Sequence, residues 1–142
     1  MALELTIEGA DVLATRLREA AGNIKPAAAQ ALYLEAEAVM ARSKEEFVPV
    51  DLGVLRDSGH VGLPQITSDG IDVAMGFGGA ASAYAVAVHE HLSEHSPASW
   101  KKAGTVTFSP SGHGPKYLER PLLEAAKGMV DRLARTIATA WK

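Results

Sequence analysis

From Pro26 to Phe47 the chain holds no glycine and no second proline, and no other stretch restricts the fold as much. Pro26 suits the first turn of a helix, where its missing N–H would have no intrahelical partner. Ala28, Leu32, Ala36, Val39, Ser43 and Phe47 fall on one stripe at helical spacing, while Glu35, Glu37, Arg42, Lys44 and Glu45 mostly face elsewhere. The pattern predicts the longest helix of the molecule, ended by Pro49. Its Ala-rich face is built to pack closely against a sheet or a partner helix.

Upstream, Leu3, Leu5 and Ile7 alternate with polar neighbours as a short strand does, and Gly9 punctuates them. A first helix is predicted from Ala10 to about Ala21, with Asp11 at its positive end and Gly22 and Asn23 as its stop. Downstream the period changes to two. Val61, Leu63 and Ile66, interrupted by Pro64, lead through the Ser68-Asp69-Gly70 turn into Ile71, Val73, Met75 and Phe77, the pattern of a β-hairpin. Gly76, Gly78 and Gly79 close it, and Tyr84, Val86 and Val88 predict a third core strand, with a buried helix as the other reading of this Ala-rich run. A last helix is predicted from Lys116 to Trp141, with Pro121 near its start and Leu122, Ala126, Met129, Val130, Leu133 and Ile137 on one face.

Helices bracketing a group of strands predict an α+β fold: a small antiparallel sheet of about four strands packed against a long helix and a C-terminal helix. At 142 residues the chain fits one domain, 1–142. Aromatics make up only 6%, so the core has to be aliphatic and Ala-rich. Between them lies a polar segment at about 91–115 with Pro97, Pro110, Trp100 and the β-prone Thr105-Val106-Thr107-Phe108, long enough for an interaction loop.

Charge and cysteine content exclude several classes. Fourteen Lys and Arg against seventeen Asp and Glu give a net charge of −3 without any block of one sign, so the clustered cations of a nucleic-acid binder are missing. The chain has no cysteine, hence no disulfide framework and no thiolate zinc site. Glu4 and Glu8 spoil a signal-peptide pattern, and no run approaches the roughly 20 apolar residues of a bilayer span, which predicts a soluble cytoplasmic product.

The chain matches no common catalytic template. His89, Glu90, His91, Glu94 and His95 fail the helical H-E-x-x-H pattern, because Ser93 stands where the second histidine belongs and Leu92 follows His91 where the glutamate should be. Solvated or interface histidines at a strand end are the preferred reading. The glycines at 76, 78 and 79 match neither phosphate-binding fingerprint. Ser111-Gly112-His113 reads as a solvent loop, and Asp69 and Asp72 as turn residues. No catalytic, metal or cofactor residue is assigned. A small metal-dependent hydrolase using His89, His91 and His95 is the alternative from another class.

Three motifs carry a resemblance. Val48-Pro49-Val50-Asp51-Leu52-Gly53-Val54-Leu55-Arg56-Asp57-Ser58 resembles a V-x-x-D-T-G-x-L-R-x-S signature. Tyr84-Ala85 followed by Val88-His89-Glu90 is similar to a Y-A-x-x-V-E strand, and Lys116-Tyr117-Leu118-Glu119-Arg120-Pro121-Leu122 resembles an aromatic, Pro-containing entry to a last helix. All three, in this order, resemble the head-to-tail joining proteins of long-tailed bacteriophages, a family of neck, tail-completion and minor-capsid proteins. Leu52 replaces the usual threonine, and His89 intervenes before Glu90.

The resemblance implies a non-enzymatic virion protein, assembled in the host bacterial cytoplasm into a ring of six or twelve copies in the neck. Such a ring joins the capsid portal complex to the tail, meeting portal, adaptor or stopper proteins on one side and tail terminator or tail tube protein on the other. DNA passes through its lumen without sequence-specific binding. A tail terminator capping the tail tube is the alternative within that class. Asp51, Gly53, Leu55, Tyr84, Tyr117 and Pro121 are then fold-motif residues, and Arg56, His89, His91, Trp100 and Phe108 are subunit-interface candidates.

Overall fold

A computed structural model describes residues 10–49, 53–90 and 113–140. Its dominant element is helix α1, Ala10–Arg42, which at 1.5 Å per residue is about 50 Å long and continues as a π-helical turn, Ser43–Phe47. The predicted stripe faces inward: Ala36, Val39, Ser43 and Phe47 are buried, and Ala28 and Leu32 are half-buried. In the π turn the Val48 N–H donates to the Ser43 carbonyl at 2.8 Å, and Val48 and Pro49 are buried as the chain turns away.

The separate helices expected on either side of Gly22 and Asn23 are one helix, with Pro26 inside it. Pro26 deletes one backbone bond and Gly22 is a weak helix former, yet the sequence on both sides keeps the helical period. The C-terminal helix Met129–Ala140 reaches this junction, where Ile137 and Ala140 line a shallow cavity with Asn23, Ile24 and Ala27. Tertiary packing therefore overrides the local stop signals. The predicted strand at Leu3, Leu5 and Ile7 lies outside the described residues.

After Gly53 comes a single helical turn, α2, Val54–Asp57, and then the hairpin. Its four strands are β1 (Gly59–Val61), β2 (Gln65–Ile66), β3 (Ile71–Asp72) and β4 (Met75–Phe77). β1 pairs antiparallel with β4, Gly59 opposite Phe77 and Val61 opposite Met75. β2 pairs antiparallel with β3, Gln65 opposite Asp72 and Ile66 opposite Ile71. The Gly62 N–H donates to the Ala74 carbonyl at 2.7 Å, so beyond that pair Leu63 and Pro64 together face Val73 alone. This extra residue is a β-bulge, placed where Pro64 has no N–H to give the ladder. Gly59 lies tight against α1: a Cβ there would come within 2.5 Å of Lys44 Cε and 2.8 Å of Met40 Sδ.

The sheet is smaller than predicted, because the segment expected as a third core strand is helix α3, Ser82–Glu90. Ala81, Ala85 and Val88 are buried, a spacing of four and three, whereas Tyr84 and Val86 are exposed. A strand would have buried Tyr84, Val86 and Val88 together, so the helical period of the small residues wins over the alternation of the larger ones.

The predicted single C-terminal helix is two, α4 (Glu119–Ala126) and α5 (Met129–Ala140), separated at Gly128 with φ +73°. The break changes the phase of the apolar stripe: Met129, Leu133 and Ile137 are half-buried, while Leu122, Ala126 and Val130 are exposed. Arg132 fixes the joint. Its guanidinium forks onto both Glu35 carboxylate oxygens at 2.9 Å and donates to the carbonyls of Ala125 (2.6 Å) and Lys127 (3.0 Å). The result is a mostly helical α+β fold in which α4 and α5 pack on α1 and one irregular hairpin packs beside them. Among the described residues no helix is long and apolar enough to cross a membrane.

Candidate functional site

The three sequence landmarks, far apart in the chain, meet in one core. Leu55 from the first motif, Ala85 and Val88 from the second and Tyr117 from the third are buried in a single cluster with Phe47, Val48 and Ala81. Tyr117 is its centre, with its ring edge-to-face against Phe77 (centroids 5.0 Å apart) and against His89 (4.8 Å). Its hydroxyl donates to the Ala85 carbonyl at 2.6 Å, and its own carbonyl accepts from the fully buried Ser43 hydroxyl at 2.7 Å. Burial pushes the phenol up to about 12.

Of the fold-motif residues, Gly53, Leu55, Tyr84, Tyr117 and Pro121 lie within the described residues. Gly53 has φ +80°, a left-handed conformation that glycine adopts without strain, and starts the turn that buries Leu55. Pro121 is fully buried in the first turn of α4. Tyr84, in contrast, is 38% exposed on α3. Asp51, and the interface candidates His91, Trp100 and Phe108, lie outside the described residues. Arg56 is exposed and lies 3.7 Å from the Asp57 carboxylate.

His89 is on the last turn of α3 and not at a strand end. Its Nδ1–H donates to Glu90 at 2.7 Å while its ring packs on Tyr117. Sequence reasoning missed the side chains that complete this corner. Lys116 bridges the carboxylates of Glu90 and Glu119, the latter at 3.1 Å, and its backbone N–H donates to the His89 carbonyl at 2.7 Å. Lys116 has φ +57°, unusual for a residue with a Cβ, and the backbone bond to His89 and the two ion pairs hold it there. The hydrogen bond from Lys116, followed by that from His89, holds the Glu90 carboxyl below its usual range, and the same contact with Glu90 raises Lys116.

His89, Glu90 and Glu119 bring three potential metal-ligand atoms within 4.8 Å of one another. The Lys116 ammonium already bridges both carboxylates of that set, so a divalent cation would have to displace it. The donor set fits a closed ion-pair cluster better than a metal centre.

Of the Ser111-Gly112-His113 segment expected to be a solvent loop, His113 alone lies within the described residues, and it is not exposed to solvent. His113 is buried and its Nδ1–H donates to the Val48 carbonyl at 2.6 Å, which fixes the tautomer, and the Gly114 N–H donates to the Phe47 carbonyl at 2.9 Å. His113 and Gly114, assigned by sequence to the interaction loop, thus belong to the core edge, while Pro115 is exposed. Nearby, the guanidiniums of Arg42 and Arg120 stand 5.5 and 4.7 Å from the Phe47 ring centroid.

Among the described residues nothing in this corner sets a nucleophile beside a base, and the polar side chains named above bind backbone carbonyls or one another. Chemically the arrangement closes and stiffens: it ties the end of α1, the end of α3 and the entry to α4 into one node. Comparisons of the chain with protein families, with curated proteins and with solved structures found no match.

Proposed function

We propose that the chain is a structural subunit of the neck of a long-tailed phage, forming a ring that joins the capsid portal complex to the tail around the DNA channel. One observation carries this reading. The three motifs on which the family resemblance rests converge on Leu55, Ala85, Val88 and Tyr117 of one core, with Ser43 and His113 bonded around it. Motifs that share a core behave as a fold signature, and chance similarities scattered along a chain have no reason to meet. The first of them also leaves Arg56 on the surface, as a residue that meets a neighbouring subunit has to be.

The work of such a subunit is assembly, so the test is assembly. Purified chain mixed with portal and adaptor proteins, and separately with tail tube, is expected to form rings on the portal side visible by electron microscopy. Arg56→Glu is expected to leave thermal unfolding unchanged and to impair that incorporation. Capping of isolated tail tubes without any portal binding would move the assignment to a tail terminator. Failure to join either structure overturns the proposal.

A further inference from the structure

The turn at the tip of the hairpin joins Asp69 to Gly70, and no other aspartate of the chain is followed by glycine. That dipeptide has a chemistry of its own. The backbone nitrogen after an aspartate can attack the side-chain carboxyl carbon, and a following residue without a Cβ leaves the approach open. Thr67, Ser68, Asp69 and Gly70 are all exposed, and a Cβ built on Gly70 would meet nothing within 4 Å beyond its chain neighbours. Both reacting groups therefore stand at an open surface.

The polar contacts of the turn are arranged around the same two groups. The Ser68 hydroxyl donates to Asp69 Oδ1 at 3.0 Å, which draws electrons from the carboxyl carbon. The Gly70 N–H donates to Thr67 Oγ1 at 3.1 Å, so an oxygen already lies on the proton that the nitrogen has to lose. The Thr67 N–H (2.9 Å) and hydroxyl (3.2 Å) both donate to the Gly70 carbonyl and close the turn. Beyond it the ladder is short: Ile66 opposite Ile71 and Gln65 opposite Asp72, all exposed except the half-buried Ile71. A pairing of this length opens at small cost, which lets the tip reach the geometry that ring closure needs. Other aspartates are placed differently. Asp11 and Asp72 precede valines, whose branched Cβ crowds the approach. After Asp57 the Ser58 N–H donates to the Val54 and Leu55 carbonyls, and after Asp131 the Arg132 N–H donates to the Gly128 carbonyl.

We infer that Asp69 is a site of spontaneous isomerisation to isoaspartate. The Gly70 nitrogen forms a bond to Asp69 Cγ and gives up its proton, and one carboxyl oxygen leaves with two protons as water, which closes a cyclic imide. Water then adds to one of the imide carbonyls. Addition at Cγ breaks the new C–N bond and restores aspartate. Addition at the main-chain carbonyl breaks the original peptide bond instead, so the chain runs on through the side chain and the α-carboxylate is left free. Water is both the leaving group and the co-reactant, and no electrons are gained or lost. Isoaspartate lengthens the main chain by one carbon at the tip, so its effect falls on the β2–β3 pairs, while β4 stays anchored through Phe77 on the Tyr117 ring. The reaction belongs to the single chain, and its success or failure is separate from that of the neck assignment.

The full chain incubated at neutral pH in heavy-oxygen water, beside a synthetic peptide of residues 63–75 that serves as a clock, tests this directly. Hydrolysis of the imide places one heavy oxygen on the carboxylate it creates, and electron-transfer fragmentation of the digested chain separates isoaspartate from aspartate. Label and isoaspartate are expected at position 69 at a rate within a few-fold of the peptide's, with Asp57, Asp72 and Asp131 unlabelled. Gly70 does not have a positive φ and has room for a methyl group, so Gly70→Ala keeps the turn. It is expected to slow labelling several-fold with an unchanged circular dichroism spectrum. Asp69→Asn keeps Gly70 and is expected to speed labelling, because ammonia leaves in place of water. No label at Asp69 by the time the peptide is half converted would show that the hydrogen bonds of the turn protect the bond, and would overturn the inference. Equal labelling of the other aspartates, or a rate that neither substitution moves, also overturns it.

Discussion

At the scale of single residues, Tyr117 does more than fill space. Its ring, hydroxyl and carbonyl each hold a different element: the hairpin through Phe77, α3 through Ala85 and the π turn through Ser43. Tyr117→Phe keeps the ring and removes the hydroxyl from a buried carbonyl, an expected loss of about 1 kcal/mol by chemical denaturation. A neutral result would show that the hydroxyl contributes nothing net. Glu90 and Lys116 act through charge, and pH reads them. The Glu90 carboxyl titrates lower in the fold than its ordinary 4.5, so its contribution is complete above that value and disappears as pH falls through the folded pKa. Lys116 titrates higher than its ordinary 10.5, so its contribution is complete below that value and disappears as pH rises through the folded pKa. Stability is therefore expected to be level between about 4.5 and 10.5 as far as this pair is concerned. Glu90→Gln should lower the melting temperature at pH 7 and make little difference in acid below the folded pKa of Glu90. An equal loss at pH 7 and in that acid range would assign its effect to packing.

At the scale of elements, α1 sets two local breakers against continuous helical patterning. Pro26 withholds a donor from the Gly22 carbonyl and crowds it. Pro26→Ala restores the bond, and because the helix is continuous here it is expected to stabilise the chain by about 1–3 kcal/mol and raise its helical circular dichroism. Unchanged helicity with lower stability would mean that the chain needs a break at this point. The same tension explains what the sequence made legible and what it concealed. The inward stripe from Ala36 to Phe47, the hairpin with its interruption at Pro64, and the place of Pro121 near the start of a helix were all readable, because each is a matter of local period or of turn chemistry. The union of two helices across Gly22, the helix at Ser82–Glu90 and the break at Gly128 were not, because packing partners decided them. α5 spans the first, the Tyr117 core selects the small face of the second, and Arg132 staples the third to Glu35. The site was half legible for a related reason. Residues with a motif were found, whereas Ser43, His113 and Lys116 act through backbone carbonyls and carboxylates that only the fold brings near them.

At the scale of the whole molecule, the node around Tyr117 closes a circuit in the chain. The His89 carbonyl accepts from the Lys116 N–H, so the two chain segments that flank 91–112 are joined by backbone hydrogen bonding and by the Glu90–Lys116 ion pair. On the other side of the node, His113 and Gly114 are bonded to Val48 and Phe47. Among the described residues, these contacts tie α3 to α4 without drawing on the intervening segment. Replacing residues 91–112 with a short Gly/Ser linker should leave the core intact, since closing a shorter loop between fixed ends loses less entropy. Thermal unfolding is expected to remain cooperative, with a midpoint within a few degrees of the parent or slightly above it. The replaced segment includes Trp100 and Phe108, the aromatic residues singled out as subunit contacts, so the shortened chain is also expected to fail in neck assembly while folding normally. Separation of the two readouts would place folding in the node and assembly in the segment it closes off. Loss of cooperative unfolding would show instead that residues 91–112 contribute to the core, and the node could then not be regarded as self-sufficient.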